Sequence, residues 1–335
     1  MRYLALAFLL VFTGCTTKYF EPKKTENKKL KNTTRYETLS DYTKNDITFS
    51  ELVLKEVKKE NILDDGLRVK KIYLDENLKP LGGFVKINDD IAVNADRLLV
   101  ISQKKVYKLP FVIYSATKNA SEVAVVFENG RYGVYDLDKK AMKYIFEGDE
   151  VLSVRHLHAD PMFYKDLLLF PLLSGNIAVV DNIKGSFIRY LNISQKQFND
   201  NVIFLKIVNN QLFMATPSKL VLFNPSFLID YKADIKHIID YDGFLYIFTA
   251  DGYIIKLDSN LKEIKKVKLP YASFFAPSVC NKNIWTVESE GYLLKITPEL
   301  NVTVYKGTNF STKSNSQLKI KRCKIYNDDK VFMIE

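Results

Sequence analysis

One unit recurs along this 335-residue chain, and that recurrence limits the possible folds more than any other feature. Each copy has a short apolar strand, a polar turn that often contains glycine, a second apolar strand, and then Asp, Asn or Thr. The unit reads VAVVFENGRYGVYDLD at 123–138, LLLFPLLSGNIAVVDN at 167–182 and LFMATPSKLVLFN at 212–224. It returns as FLYIFTADGYIIKLDSN at 244–260 and IWTVESEGYLLKITPE at 284–299, with a weaker copy, LLVISQKKVYKLP, at 98–110. The turn positions Gly130, Gly175, Ser218, Gly252 and Gly291 lie between 34 and 45 residues apart. Asn129-Gly130 and Asp251-Gly252 supply the positive φ angles that a tight hairpin needs. A single hairpin cannot bury both of its faces, so the copies must stack on one another.

Hairpins at this interval, each followed by a further alternating segment such as NLKEIKKVKL at 260–269, predict an all-β chain. The expected fold is a β-propeller of four-stranded blades, with seven the preferred count and six or eight also open. The ends of the chain fit a ring. KVFMIE at 330–335 looks like the first strand of a unit, and GLRVKKIYLDENLKPLG at 66–82 looks like the second half of one. Joining them would close the ring with a blade built from both ends and remove two open sheet edges. SELVLKEVKKENI at 50–62 is the one tolerable helix candidate. The expected division is a signal peptide at 1–14, a lipidated cysteine and flexible basic tether at 15–47, and the propeller at 48–335.

The expected leader is MRYLALAFLLVFTGC at 1–15. Arg2 precedes a nine-residue apolar run, Leu4 to Phe12, which is too short to span a bilayer. Thr13-Gly14-Cys15 resembles the lipobox of bacterial lipoproteins, although Phe12 stands where leucine is usual. That resemblance implies cleavage before Cys15, acylation of its thiol, and a membrane anchor. Thr16, in place of aspartate, favours the outer membrane over the inner one by the same resemblance. Residues 16–35 carry seven Lys/Arg against two Glu and almost no aliphatic side chains, which predicts disorder. The formal net charge of the chain is +10, and half of it lies in that stretch. The basic balance therefore belongs mainly to the leash, and a nucleic-acid-binding surface on the folded part is not expected. A polybasic leash beside a lipid anchor is placed either to touch anionic head groups or to act as a solvated spacer.

The search for chemistry returns few candidates. Arg155-His156-Leu157-His158-Ala159-Asp160 is the densest polar cluster. On a strand, His156 and His158 share one face, and with Asp160 they form a weak candidate metal or polar site. The third histidine of the chain, His237, is distant in sequence, so core-edge or exposed histidines are the stronger expectation. Cys280 and Cys323 occupy similar places in successive units. An oxidising compartment would permit a disulfide between them. Neighbouring innermost strands are usually too far apart for one, so two buried thiols are expected. The sequence has no G-x-S-x-G, phosphate loop or H-E-x-x-H. No catalytic residue, cofactor or metal is expected.

An anchored chain with LYIFTADGYIIKLD-like units resembles the BamB-like lipoproteins of the β-barrel assembly machinery. More broadly, it resembles the pyrroloquinoline-quinone-like repeat superfamily. The repeats of that family usually carry Asp-x-x-Thr-Gly-Lys and then a tryptophan. Here the matching stretches are LDKKAMKYIF, LDSNLKEIKKV and ITPELNVTVY. The resemblance implies a non-enzymatic scaffold at the periplasmic face of the outer membrane. It would bind the assembly machinery or other envelope proteins, touch the membrane through its anchor, and bind no nucleic acid. The alternative is a periplasmic small-ligand binder or quinoprotein-like enzyme that uses the central channel.

Overall fold

The computed structural model describes residues 18–34, 73–74, 80–81, 85–88, 90–103, 105–149, 158–194, 200–224, 227–306, 310, 312, 318–327 and 330–334. Among them there is no helix. The helix candidate at 50–62, Cys15 and His156 lie outside the described residues.

Among the described residues the strands form seven sheets of four or more members, numbered here in chain order, and one two-stranded pair, Tyr73–Leu74 with Pro80–Leu81. Sheet 1 contains Val85–Lys86, Ile91–Asn94, Arg97–Val100 and Lys105–Lys108. Sheet 2 contains Ile113–Asn119, Glu122–Phe127, Tyr132–Asp136 and Ala141–Phe146. Sheet 3 follows with Met162–Tyr164, Leu167–Pro171, Asn176–Asp181 and Ser186–Asn192. Sheet 4 is Phe204–Val208, Gln211–Thr216, Lys219–Asn224 and Phe227–Lys232, and sheet 5 is Ile235–Tyr241, Phe244–Thr249, Tyr253–Leu257 and Glu263–Lys268. Sheet 6 is Phe274–Cys280, Asn283–Glu288, Leu293–Ile296 and Val302–Lys306. Sheet 7 has three C-terminal strands, Leu318–Lys321, Lys324–Asn327 and Lys330–Met333.

In sheets 2 to 6, which are antiparallel meanders of consecutive strands, the recurrent hairpin of the sequence is the second and third strands, and in sheet 1 the copy at 98–110 is the third and fourth. Those strands are packed on both faces, which is why they read as continuous apolar runs. FLYIFT and NIWTVE are buried at every position but the first. Fourth strands face solvent on the outside, and EIKKVK is exposed at four of its six positions. Successive sheets share their cores. Tyr132 packs at a tilt against Phe170 between sheets 2 and 3 at 5.0 Å, and Phe248 meets Phe274 edge-on between sheets 5 and 6 at 5.3 Å. Gly252 shows why glycine recurs at the turn. Its φ is +86°, and an added Cβ would lie 2.4 Å from the Leu269 carbonyl oxygen.

Closure by both ends differs from the expectation in its partner. Lys330–Met333 is the third strand of sheet 7, and its outer neighbour is Asn32–Thr34, not residues 66–80. The pairing is antiparallel, with Asn32 opposite Phe332 and Thr34 opposite Lys330. A second short strand, Glu26–Asn27, adds in parallel to the outer edge of sheet 6. Phe20 is 5% exposed and sits in the core between sheets 5 and 6, where it meets Tyr292 edge-on at 6.0 Å. Residues 18–34 are thus not the loose leash expected from their composition. Buried Phe20, half-buried Leu30 and the open edges of two sheets hold a segment that cannot form a core of its own.

The two cysteines also depart from the expectation. Cys280 ends the first strand of sheet 6, and Cys323 lies in the first turn of sheet 7. They are joined by a disulfide across a Cα separation of 5.1 Å. The spacing between innermost strands does not apply, because one partner stands on a turn that reaches back toward the neighbouring strand end.

Two outcomes test this arrangement. Phe20→Ala should cost about 3–5 kcal/mol in denaturant unfolding, the usual price of emptying a buried aromatic site, whereas a free tether would register no change. Replacing both cysteines by serine should lower stability by about 4 kcal/mol, on loop entropy for a 43-residue separation. Thiol titration of the denatured, unreduced protein checks the bridge, and recovery of both thiols would refute it.

Candidate functional site

In sheets 2 to 7 the first strand begins, the second ends and the third begins on one rim of the molecule, a consequence of the meander, and in sheet 1 the loop before the second strand, Ile91–Asn94, reaches the same rim. That rim collects the buried polar groups. At sheets 1 to 3, His158 and Asp160 precede the first strand of sheet 3, with Nε2 4.0 Å from Oδ1. The Tyr114 ring lies 4.6 Å from the imidazole. Asn88 donates from Nδ2 to the Ala116 carbonyl at 2.7 Å and to Asp160 Oδ2 at 3.4 Å. The structure therefore brings together two members of the proposed cluster, His158 and Asp160, ahead of the strand rather than on it.

Between sheets 3 and 4, Asp200 is buried and accepts from Ser194 Oγ at 2.8 Å and from Ser218 Oγ at 2.9 Å. Ser218 stands at the turn position that glycine holds in four other copies, so the departure from glycine has a role: its hydroxyl ties the turn to the entry of sheet 4.

Sheets 5 and 6 meet through Lys236, His237, Ser273 and Glu288. His237 is buried, and its Nε2 lies 3.2 Å from the Phe274 carbonyl. Because a carbonyl only accepts, that nitrogen carries the proton. Burial, reinforced by the positive charge of Lys236, lowers its pKa to about 3, against the raising effect of the Phe274 hydrogen bond. Glu288 is fully buried and accepts from the backbone N–H of Glu290 at 2.8 Å and of Ser273 at 3.2 Å. Burial raises its pKa even though these bonds favour the ionised form. Lys236 donates to Ser273 Oγ at 2.9 Å and lies 3.9 Å from the centre of the Phe275 ring. Asp200, Lys236 and His237 thus bond across adjacent sheets, whereas the donors to Glu288 come from the entry and turn of its own sheet. Among the described residues no group of three His, Cys, Asp or Glu side chains is placed to hold a metal ion.

The outer wall has a different character. The fourth strand of sheet 3, Ser186–Asn192, exposes six of its seven residues. Ile188 is 49% exposed and Tyr190 45%, and Ile183, just before the strand, is 70% exposed. Phe187 and Tyr190 are in ring contact at 4.6 Å, and the Tyr190 hydroxyl lies 3.3 Å from that of Tyr132. Sheets 6 and 7 have their outer edges covered by the N-terminal strands, whereas among the described residues no strand pairs with the outer edge of sheet 3. The sequence reading missed this edge. SFIRYLN carries no motif, and only the outward placement of its apolar side chains sets it apart.

Several known structures share the architecture. BamB from Moraxella catarrhalis aligns with 78% of this chain and 83% of its own, at a TM-score of 0.58 and 13% identity. The C-terminal WD40 domain of Sif2 aligns with 78% and 80%, at 0.54 and 12%. The fold is a β-propeller. No protein-family model matches the chain. Two plasminogen-binding proteins PgbB, from Helicobacter pylori strains J99 and 26695, are 28% identical over 196 and 197 residues. The match takes in 58% of this chain and 36% of each relative, so it spans little more than a third of the curated relatives' length.

His237 sets a pH dependence. Its folded pKa lies below the unfolded value of 6.5, so between about 3 and 6.5 the unfolded chain binds more protons. Its contribution is present in full above 6.5 and is lost as pH falls toward 3. Glu288, raised from 4.5, acts in the opposite sense and favours the fold at low pH. Stability measured from pH 6.5 to 5 should fall with a slope approaching ~1.4 kcal/mol per pH unit. His237→Gln, which retains a donor for the Phe274 carbonyl, should flatten it. An unchanged slope in that variant would place the titration elsewhere.

Proposed function

We propose that this propeller is a membrane-anchored, non-enzymatic scaffold of the bacterial envelope, lipidated at Cys15, that binds protein partners during outer-membrane β-barrel assembly. The observation that carries the reading is the apolar outer edge of sheet 3. An edge strand offers unpaired backbone groups in an extended row, and exposed Ile188 and Tyr190 add side-chain contacts for a partner strand. Unfolded barrel precursors consist of such strands. The fold likeness to BamB supports the assignment to assembly.

A photo-crosslinking residue at Ile188 should capture assembly components or barrel precursors, and the same residue at Lys140, on the outer turn of sheet 2, should not. With the photo-crosslinking residue moved to exposed Ile183, Ile188→Asp with Tyr190→Ser should reduce capture at least about fivefold with little change in melting temperature, as expected for exposed positions. Normal barrel abundance in a deletion strain would refute the assembly role.

The relatives' name supports a second reading, binding of plasminogen at the cell surface. Direct binding of plasminogen to purified protein, together with protease accessibility of the propeller on intact cells, would favour it over assembly.

A further inference from the structure

We propose that the outer wall formed by residues 18–31 with sheets 5 and 6 is a membrane-contact surface for anionic phospholipid head groups. The inference rests on the lipid anchor at Cys15 and adds to it a fixed orientation of the propeller. Phe20 is wedged between sheets 5 and 6, five residues after Cys15. Five residues of extended chain reach at most ~18 Å. A core side chain of this wall is therefore held within that distance of an acylated Cys15, and so is the wall around it.

The wall has the chemistry such a position requires. Between 18 and 34 there are six lysines against two glutamates. Because the segment is pinned by Phe20 and paired at Glu26–Asn27, these charges occupy set places instead of spreading along a free leash. Lys23, Lys24 and Lys29 are exposed, as are Lys265 and Lys266 on the adjoining fourth strand of sheet 5. Two amphipathic aromatic side chains stand at the point where the chain leaves toward the anchor. Tyr19 is 57% exposed and Tyr271 is 54%, with Lys18 Nζ 5.6 Å from the centre of the Tyr271 ring. Tyrosine beside lysine is the side-chain pairing that suits the head-group layer, where one end of the ring is wet and the other apolar. Lysines at an anionic surface act additively and are screened by salt.

The test separates the wall from the anchor. The mature chain from residue 15 with Cys15→Ser, which cannot be acylated at that thiol, is sedimented with vesicles of phosphatidylcholine alone or with one-third phosphatidylglycerol. Binding to the anionic vesicles, weakening with added salt, is the expected result. Lys23→Glu with Lys24→Glu and Lys29→Glu should reduce it at least about tenfold. Lys139→Glu with Lys140→Glu on sheet 2 should leave it unchanged. A Lys→Gln version of the triple variant, checked by its melting temperature, guards against loss of the paired segment and should show a smaller loss in the same direction. Absence of binding, equal binding to neutral vesicles, or equal loss from the sheet 2 reversals would overturn the proposal. The mass of the wild-type protein purified from cells reports separately on whether Cys15 is acylated.

Discussion

Sheets 6 and 7 depend on a chain segment with almost no hydrophobic content. Without Asn32–Thr34, the strand Lys330–Met333 would present an open edge, and without Glu26–Asn27 the edge of sheet 6 would be open as well. An open edge invites pairing with other chains, and a propeller whose last sheet lacks a strand loses cooperative packing at that place. Phe20 and Leu30 secure the segment, the first in the core between sheets 5 and 6 and the second against the core between sheets 6 and 7. The Cys280–Cys323 bridge ties the same two sheets together. Leu30 and the bridge thus act on the joint where the two ends of the chain meet, and Phe20 holds the same segment at the joint before it.

The hairpin repeat was legible in the sequence because two signals coincide there: doubly packed central strands, which read as apolar runs, and turns that need glycine. The first turn of sheets 2 to 7 was much less so. It is equally tight, yet its positive φ angles fall on Asn209 and Asn210, Asn281 and Lys282, or Arg322 and Cys323. Only Asp242-Gly243 among them carries the usual mark. The N-terminal segment was misread for a related reason. Composition reports whether a segment can bury apolar surface of its own, but edge pairing is made by the backbone, and one phenylalanine supplies the wedge. The disulfide was misjudged because spacing between strands was applied to a residue that stands on a turn.

Of the proposed polar cluster, the pairing of His158 with Asp160 was legible from their closeness in sequence, whereas Asn88 and Tyr114 were not, since they arrive from sheets 1 and 2. Ser218 and Asp200 were hidden in the same way. The rim where these groups gather spends its hydrogen bonds on holding neighbouring sheets, while the outer walls carry the surfaces suited to partners. One of these walls is apolar, at sheet 3, and another is basic, at sheets 5 and 6. The two are separated by sheet 4 and present different chemistry, so a scaffold held at a membrane by one would still offer the other.

Amide hydrogen exchange across residues 18–34 tests the central claim most directly, that this segment is part of the folded propeller. Protection of the paired positions near Asn32–Thr34, comparable to that of the outer strand Val302–Lys306 and lost together with that of Lys330–Met333, is the result the account predicts. Exchange of the whole segment at the rate of an unstructured peptide, with Lys330–Met333 still protected, would contradict it.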